Sequence, residues 1–243
     1  MRYLVISDIH GNYPALQSVL MDAAGAYDAV WCLGDLVGYG PNPNQCVERV
    51  ASLPSQCIAG NHDWGVIGCA DLLIFNVHAR QALYWTQMEL QEEYQDYLRD
   101  LPTSLRIGDT LLVHGSVRDP IWEYVLDVGT AQASFESEAF NLCLVGHTHI
   151  PLLFEWLEAR KEVRILLPDW DAPIHLEGRR LIINPGSVGQ PRDGDPRASY
   201  GILDTEAQTF QYRRVAYPVE ITQEQMRARG LPQRLIDRLE LGR

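Results

Sequence analysis

The sequence predicts an α/β protein in which two mixed β-sheets pack as a sandwich with helices outside. Three observations carry this. Short apolar runs of four to six residues recur from end to end, each stopping at a small residue with a polar residue next. In the first half these runs alternate with segments of helical periodicity, the pattern of parallel β-α-β units. In the second half they follow one another across short turns, the pattern of antiparallel strands.

Taken in order, LVIS ends at Asp8 and is β-branched and apolar, as a buried strand is. The next segment, 13–24, places Leu16, Val19 and Leu20 at helical spacing, with Asn12 as the N-cap. VWCLG ends at Asp35, and residues 44–53 repeat the helical pattern with Cys46, Val47 and Val50. CIAG ends at Asn61. Residues 77–101, with Leu83, Tyr84, Tyr94, Tyr97 and Leu98, read as one helix broken near Gln91 or as two. LLV ends at His114, LCLVG at His147 and LIINPG at Ser187. LLFEWLE, VRILLP, RRLIINP, SYGILD and TFQYRRV supply the antiparallel strands. From about residue 222 a helical tail carries an apolar stripe of Leu231, Leu235, Ile236 and Leu239, which docks on the body or, alternatively, contacts a second copy. No linker-like composition, repeat or low-complexity stretch divides the chain, so residues 1–243 are expected to form one domain.

Composition narrows the functions. The formal charge is −12 and the hydrophobic fraction 46%, which suits a folded core and argues against broad binding to nucleic acid or an anionic membrane. An anionic small molecule is not excluded, because a local metal site inverts the sign of the field. No segment reaches the roughly 18 apolar residues that span a bilayer, and the short apolar run at the N-terminus reads as a strand rather than a signal peptide. The five cysteines are odd in number and contain no C-x-x-C, so reduced buried thiols in a cytoplasmic protein are expected.

The polar residues that end the apolar runs are the chemically informative ones. Five of the seven histidines, His10, His62, His114, His147 and His149, fall in them, together with Asp8, Asp35, Asn61 and Asp63. In an open α/β sheet such residues gather beyond the carboxyl ends of the strands. Asp8 and His10, like His147 and His149, are two apart, and in extended chain residues i and i+2 point to one side. Asn61 and His62 are neighbours and face different ways, so one is free to bind metal while the other meets a substrate. Carboxylate, imidazole and amide together suit divalent Mn, Fe, Ni or Zn. Seven donors are too many for one ion with open positions, and suit two ions that share a carboxylate.

The ordered set D-x-H, G-D, G-N-H-D, H-G and G-H-x-H resembles the calcineurin-like metallophosphoesterase superfamily, from Ser7 to about Ser199. The resemblance implies a two-sheet sandwich and a bridged pair of metal ions, with a hydroxide between them attacking phosphorus. By position, Asp8, His10 and His149 correspond to ligands of the first metal, and Asn61, His114 and His147 to those of the second. Asp35 corresponds to the bridge. His62 matches the histidine that contacts phosphate and the leaving group, and Asp63 is placed to orient it. Arg192 is a candidate phosphate contact beside Asn61 and His62. Two divalent ions, two carboxylates and a hydroxide leave about +1 for a phosphate. The phosphoprotein phosphatase branch carries an arginine shortly after G-D. Here Gly38-Tyr39-Gly40-Pro41-Asn42-Pro43 follows instead, which with Asn184-Pro185-Gly186-Ser187-Val188-Gly189-Gln190-Pro191-Arg192 resembles small prokaryotic phosphodiesterases and diadenosine-tetraphosphatase-like enzymes. The implied activity is hydrolysis of a phosphodiester or dinucleoside polyphosphate. The alternatives are a phosphomonoesterase, and a non-catalytic or nucleotide-sensing protein on the same fold. Tyr39, Asn42, Trp64 and Trp122 lie close enough in sequence to contact a base or to pack.

Overall fold

The computed structural model describes residues 1–243. One sheet holds β1 (Arg2–Ile6), β2 (Ala29–Cys32), β3 (Ser55–Cys57), β9 (Ile174–His175), β11 (Ala198–Asp204) and β12 (Thr209–Val215), ordered β3-β2-β1-β11-β12-β9. The other holds β4 (Ser104–Ile107), β5 (Thr110–Val113), β6 (Leu142–Leu144), β7 (Leu152–Leu157), β8 (Glu162–Leu166) and β10 (Arg180–Asn184), ordered β4-β5-β6-β10-β7-β8. The mixed sandwich is as expected.

Period-two alternation builds the layers. In β1, Val5 faces the space between the sheets, whereas Leu4 and Ile6 face the helices. In β6, Leu142 and Leu144 meet Val5 and Trp31 between the sheets, while Cys143 packs outward under α6 (Val128–Ser137). The first sheet is covered by α1 (Tyr13–Asp22), α2 (Pro43–Ala51), α4 (Val77–Glu89) and α5 (Glu92–Arg99), the last two separated at Leu90 and Gln91. Asn12 caps α1 by accepting from the Ala15 N–H.

Three features differ from expectation. The short α3 (Asn61–Val66) begins on the Gly60-Asn61-His62-Asp63 cluster. At six residues, with a glycine inside, it has no apolar period to announce it. The strands β4 and β9 and the weakly amphipathic α6 were likewise not separable from loop. The second half is not uniformly antiparallel, since β10 pairs parallel with β6.

The tail starts slightly earlier than expected, as α7 (Val219–Ala228) and α8 (Gln233–Leu241). Leu231, Leu235, Ile236 and Leu239 are buried in the same apolar cluster as β1 and α1. The stripe is therefore spent on the chain's own core, and offers a second copy no free apolar face.

What matters for function is the level arrangement of strand ends. β1, β2 and β3 run parallel, with Ile6 opposite Cys32 and Cys32 opposite Cys57. β5, β6 and β10 run parallel in the second sheet, with Leu112 and Ile183 both opposite Leu144. Their carboxyl ends release the loops carrying Asp8, Asp35, Asn61, His114 and His147 at one edge of the sandwich. The loops then bond to one another: Asp8 N–H to Gly34 O at 3.1 Å, His10 N–H to Asp35 O at 2.9 Å and Val188 N–H to Ser7 O at 3.0 Å.

Candidate metal centre

All seven expected ligands and His62 are buried at this edge. Donor atoms of Asp8, His10, Asp35 and His149 lie within 4.8 Å of one another, and so do those of Asp35, His114 and His147. Asp35 belongs to both groups. Asn61 joins the second, with its Oδ1 3.2 Å from His114 Nε2.

The route to this convergence is not the one expected. Asp8 and His10 are not extended. Their φ angles are +54° and +50°, and those of His147 and His149 are +65° and +60°. Asp35 and Tyr39 are also left-handed. Six of the eight non-glycine residues with positive φ thus belong to this site. Such conformations cost on the order of 1–3 kcal/mol each and persist where surrounding structure enforces them. Here they turn successive side chains inward from loops too short to do it otherwise.

Hydrogen bonds fix which atoms face the centre. The Nδ1–H groups of His10, His149 and His114 donate to the carbonyls of Val37 (3.1 Å), Gln190 (2.6 Å) and Leu33 (2.7 Å). A carbonyl only accepts, so these rings keep their Nε2 lone pairs for the centre. His147 is reversed: its Nε2–H donates to Trp122 O at 3.1 Å, which leaves the Nδ1 lone pair free. The carboxylates are divided in the same way. Asp8 Oδ2 accepts from His147 N–H and Asp35 Oδ1 from His62 N–H, whereas Asp8 Oδ1 and Asp35 Oδ2 are buried without a hydrogen-bond donor.

These free atoms test the fit of a metal. Asp8 Oδ1 lies 3.3 Å from His149 Nε2, and Asp35 Oδ2 lies 3.5 Å from His10 Nε2 and 3.4 Å from His114 Nε2. His10 Nε2 and His149 Nε2 face each other at 3.0 Å. With both Nδ1 atoms protonated, two lone pairs oppose one another there, and a cation between them relieves the repulsion. Two unit charges about 4–5 Å apart repel by about 3–4 kcal/mol at an effective dielectric of 20, so the paired carboxylates favour cations too. The donor set fits two divalent ions.

Titration follows from this crowding. Burial lifts the Asp8 carboxyl to about 7, opposed by the charge of His114 and assisted by that of Asp35. Burial also acts to raise Asp35, but the charges of His114, His62 and His10 outweigh it and hold Asp35 well below the usual range. Its partner His114 is disfavoured by burial yet raised to about 10 by Asp35, so without an ion its Nε2 holds a proton that a bound cation would displace. Burial keeps His10 and His149 neutral and lowers His147 to about 3.

His62 belongs to neither donor group. Its ring lies among those of Tyr39 (4.3 Å), His10 (4.8 Å) and Phe75 (5.2 Å). A Cβ on Gly38 would fall 2.4 Å from His62 Nδ1, so only glycine leaves the ring its place. Asp63 does not orient this ring, since His62 Nδ1 is buried without a partner. The Asp63 carboxylate instead accepts from the N–H groups of Asp35 (2.8 Å), Gly60 (3.0 Å) and Val37 (3.2 Å). It is a positioning residue for the loop that presents Asp35. The physical reason is that three amide donors at the start of α3 and after β2 have no other acceptor. Asp63→Asn puts a donor among those donors. It is expected to cost about 1–3 kcal/mol of stability and to weaken metal binding about 10–100-fold. Thermal unfolding and metal titration check this, and unaltered metal affinity would rule the role out.

Arg192 lies at the site. Its Nη2 donates to Gln190 Oε1 at 2.9 Å and to Tyr39 Oη at 3.3 Å, and its Nε is buried and unpartnered. Of the aromatic candidates, Tyr39 is inside the site and Trp122 lies at its rim, 5.6 Å from Phe75. Asn42 starts α2, and Trp64 is partly buried within α3. Sequence reasoning missed Tyr124, which stacks on His147 at 3.9 Å, and Phe75. Nothing in the sequence around either residue signals the contact. Ser187 and Asn184 were visible only as motif letters. Ser187 Oγ donates to Asp8 O, and Asn184 Nδ2 donates to Gly146 O, so both hold the ligand loops.

Comparison with known proteins agrees with this geometry. A model of the calcineurin-like phosphoesterase superfamily domain matches residues 1–208. A metallophosphoesterase crystal structure from Sphaerobacter thermophilus is 49% identical, superposes with a TM-score of 0.92 and covers 100% of this chain and 99% of that one. An uncharacterized protein of Methanocaldococcus jannaschii is 38% identical, covering 98% of this chain and 97% of its own. The phosphodiesterase YfcE of Escherichia coli is 28% identical, covering 85% of this chain and 89% of its own.

Proposed function

The chain belongs to the calcineurin-like phosphoesterase superfamily, and from that premise we propose that it hydrolyses phosphodiesters or phosphoanhydrides of small nucleotide-like molecules. The observation that carries the reading is the sharing of Asp35 by two buried donor groups. Asp8, His10 and His149 would hold one ion, Asn61, His114 and His147 the other, and Asp35 both. Divalent Mn, Fe, Ni or Zn suits these donors. Bound there, such ions supply Lewis acidity toward phosphoryl oxygens and activate water for attack.

The chain's own residues do the rest. Arg192 offers its unpartnered Nε and a fixed guanidinium to a phosphate oxygen. His62, kept neutral by burial in the free protein, would take up a proton beside the phosphate anion and pass it from its ring nitrogen to the leaving oxygen. Trp122, Phe75 and Tyr124 form an apolar rim that suits the flat face of a base or an aryl group. Similarity to a protein named as a phosphodiesterase supports the diester reading. The complete donor set weighs against a non-catalytic role. No helix is long and apolar enough to cross a membrane, and the free cysteines fit the proposed cytoplasmic setting.

The test is a panel of metals against an aryl monoester, an aryl diester and a dinucleoside tetraphosphate. Turnover should require metal and cease with a chelator. The diester or the tetraphosphate should exceed the monoester in kcat/KM by about tenfold or more, a transition-state difference above about 1.4 kcal/mol. Preference for the monoester would overturn the substrate class, and no turnover with any metal would overturn the reading itself.

A further inference from the structure

A groove of about 810 Å³ runs between α8 and the start of α4. Arg234, Arg238 and Arg243 line it against a single carboxylate, Asp237. Counting side chains alone, three arginines and one aspartate give +2 there, on a chain whose total is −12. Arg234 and Arg243 make no side-chain ion pair, and Arg238 donates through Nε to Arg243 O. Asp237 instead accepts from Gln233 at 2.6 Å. Clustered guanidinium groups in excess over acids repel one another and are relieved by an anion.

Both walls of the groove lead to His62. On one wall Arg238, partly buried, lies within charge–charge range of Arg234, Arg192 and Tyr39. Tyr39 is bonded to Arg192, and its ring is 4.3 Å from that of His62. On the other wall Asn76 and Val77 directly follow Phe75, whose ring is 5.2 Å from His62. The groove thus lies on the side of the site that carries His62 and Arg192. The volume is that of a site for a molecule of nucleotide size, and guanidinium groups match phosphate oxygens in pairs.

We propose that this groove holds the uncleaved arm of the substrate, and that the arm is a run of further phosphate groups. The proposal rests on the metallophosphoesterase reading above, and it selects the phosphoanhydride branch of that reading over simple diesters. A nucleoside polyphosphate and an inorganic phosphate chain share this chemistry.

The test uses charge changes on α8, whose apolar face of Leu235, Ile236 and Leu239 stays intact. In the metal-loaded enzyme, Arg234→Gln with Arg238→Gln should lower kcat/KM for a dinucleoside tetraphosphate about tenfold or more, as loss of charged hydrogen bonds does. An aryl diester, with no charge to place in the groove, should change less than about twofold. Asp237→Asn should act in the opposite sense and raise the tetraphosphate value about twofold, which loss of folding cannot imitate. Inorganic tripolyphosphate, as an inhibitor of aryl diester hydrolysis, should weaken in step with the tetraphosphate. Equal effects on both substrates, or none, would overturn the groove, as would unchanged tripolyphosphate inhibition. A wild-type enzyme that cleaves the diester and ignores the tetraphosphate would overturn the groove alone. One that cleaves nothing with any metal would overturn the underlying reading as well.

Discussion

Asp35→Asn is expected to leave the protein with fewer than two ions per chain and to lower turnover by more than about 10²-fold. Partners outside the ligand shell already cost 10–100-fold in affinity or activity, and a shared ligand should cost more. The geometry says why both ions suffer. Asp35 Oδ1 accepts the His62 N–H at 2.8 Å, so the oxygen of an asparagine stays there. Its amide nitrogen then replaces Oδ2, which lies 3.5 Å from His10 Nε2 and 3.4 Å from His114 Nε2. A donor faces the space where two ions meet. Asp8→Asn is the control, because Asp8 belongs to one donor group only. Elemental analysis of protein purified without chelator should give close to two transition-metal ions for wild type and a loss confined to one for Asp8→Asn. Metal at about 1,000 times its dissociation constant stabilises by about 4 kcal/mol, and about 2–4 °C of Tm accompanies each kcal/mol at this chain length. The metal-induced rise in Tm should therefore be on the order of 10 °C in wild type and shrink in Asp35→Asn. An unchanged metal count in that variant would sink the shared-ligand arrangement.

His62→Ala should keep its metal and lose rate, by about 10²–10⁴-fold where proton donation is fully required. Its ring packs on Tyr39 and Phe75, and the neighbouring Asn61 supplies the ligand. The loss should depend on the leaving group. A phenol departs without a proton, so an aryl ester should lose only what phosphate contact contributes. A ribosyl alcohol departs poorly as an alkoxide, so a nucleotide diester should lose far more. A polyphosphate leaves as a stable anion and should resemble the phenol. Burial lowers His62 to about 4, assisted by the charges of Arg192 and His114 and opposed by that of Asp35, so the free enzyme carries a neutral ring at pH 7. Proton transfer therefore needs the approaching anion to raise it. Comparing the wild-type to variant ratio across the three leaving groups separates the roles. Equal losses would mean that His62 holds phosphate through an N–H without donating a proton, and lost metal would mean that the ligand set is misassigned.

Much of the candidate site was legible because metal donors are few in kind and sit at strand ends. Asp8, Asp35, His114 and His147 each follow a run such as LVIS or LCLVG, and parallel strands release such residues at one edge. The tail stripe of Leu231, Leu235, Ile236 and Leu239 was also legible as an amphipathic face. Its use was not, because periodicity reports that a face will be buried and is silent on what buries it. Asp63 was misread for a similar reason. Adjacency to His62 suggested a partnership, but backbone amides from two loops reached the carboxylate first.

The sequence by itself determined the sandwich class, the strand ends and the identity of the donors, since each of these depends on residue type and short-range period. Only the tertiary structure decided how the donors are aimed. Left-handed backbone at Asp8, His10, Asp35, His147 and His149 replaces the extended geometry that their spacing suggests. Carbonyls of Leu33, Val37, Trp122 and Gln190, remote in the chain from the rings they hold, decide which ring nitrogens keep a free lone pair. The groove between α8 and the start of α4 is lined by segments more than 150 residues apart. Backbone acceptors carry no side-chain signature, and contacts at that separation are set by packing of the whole core rather than by any local pattern.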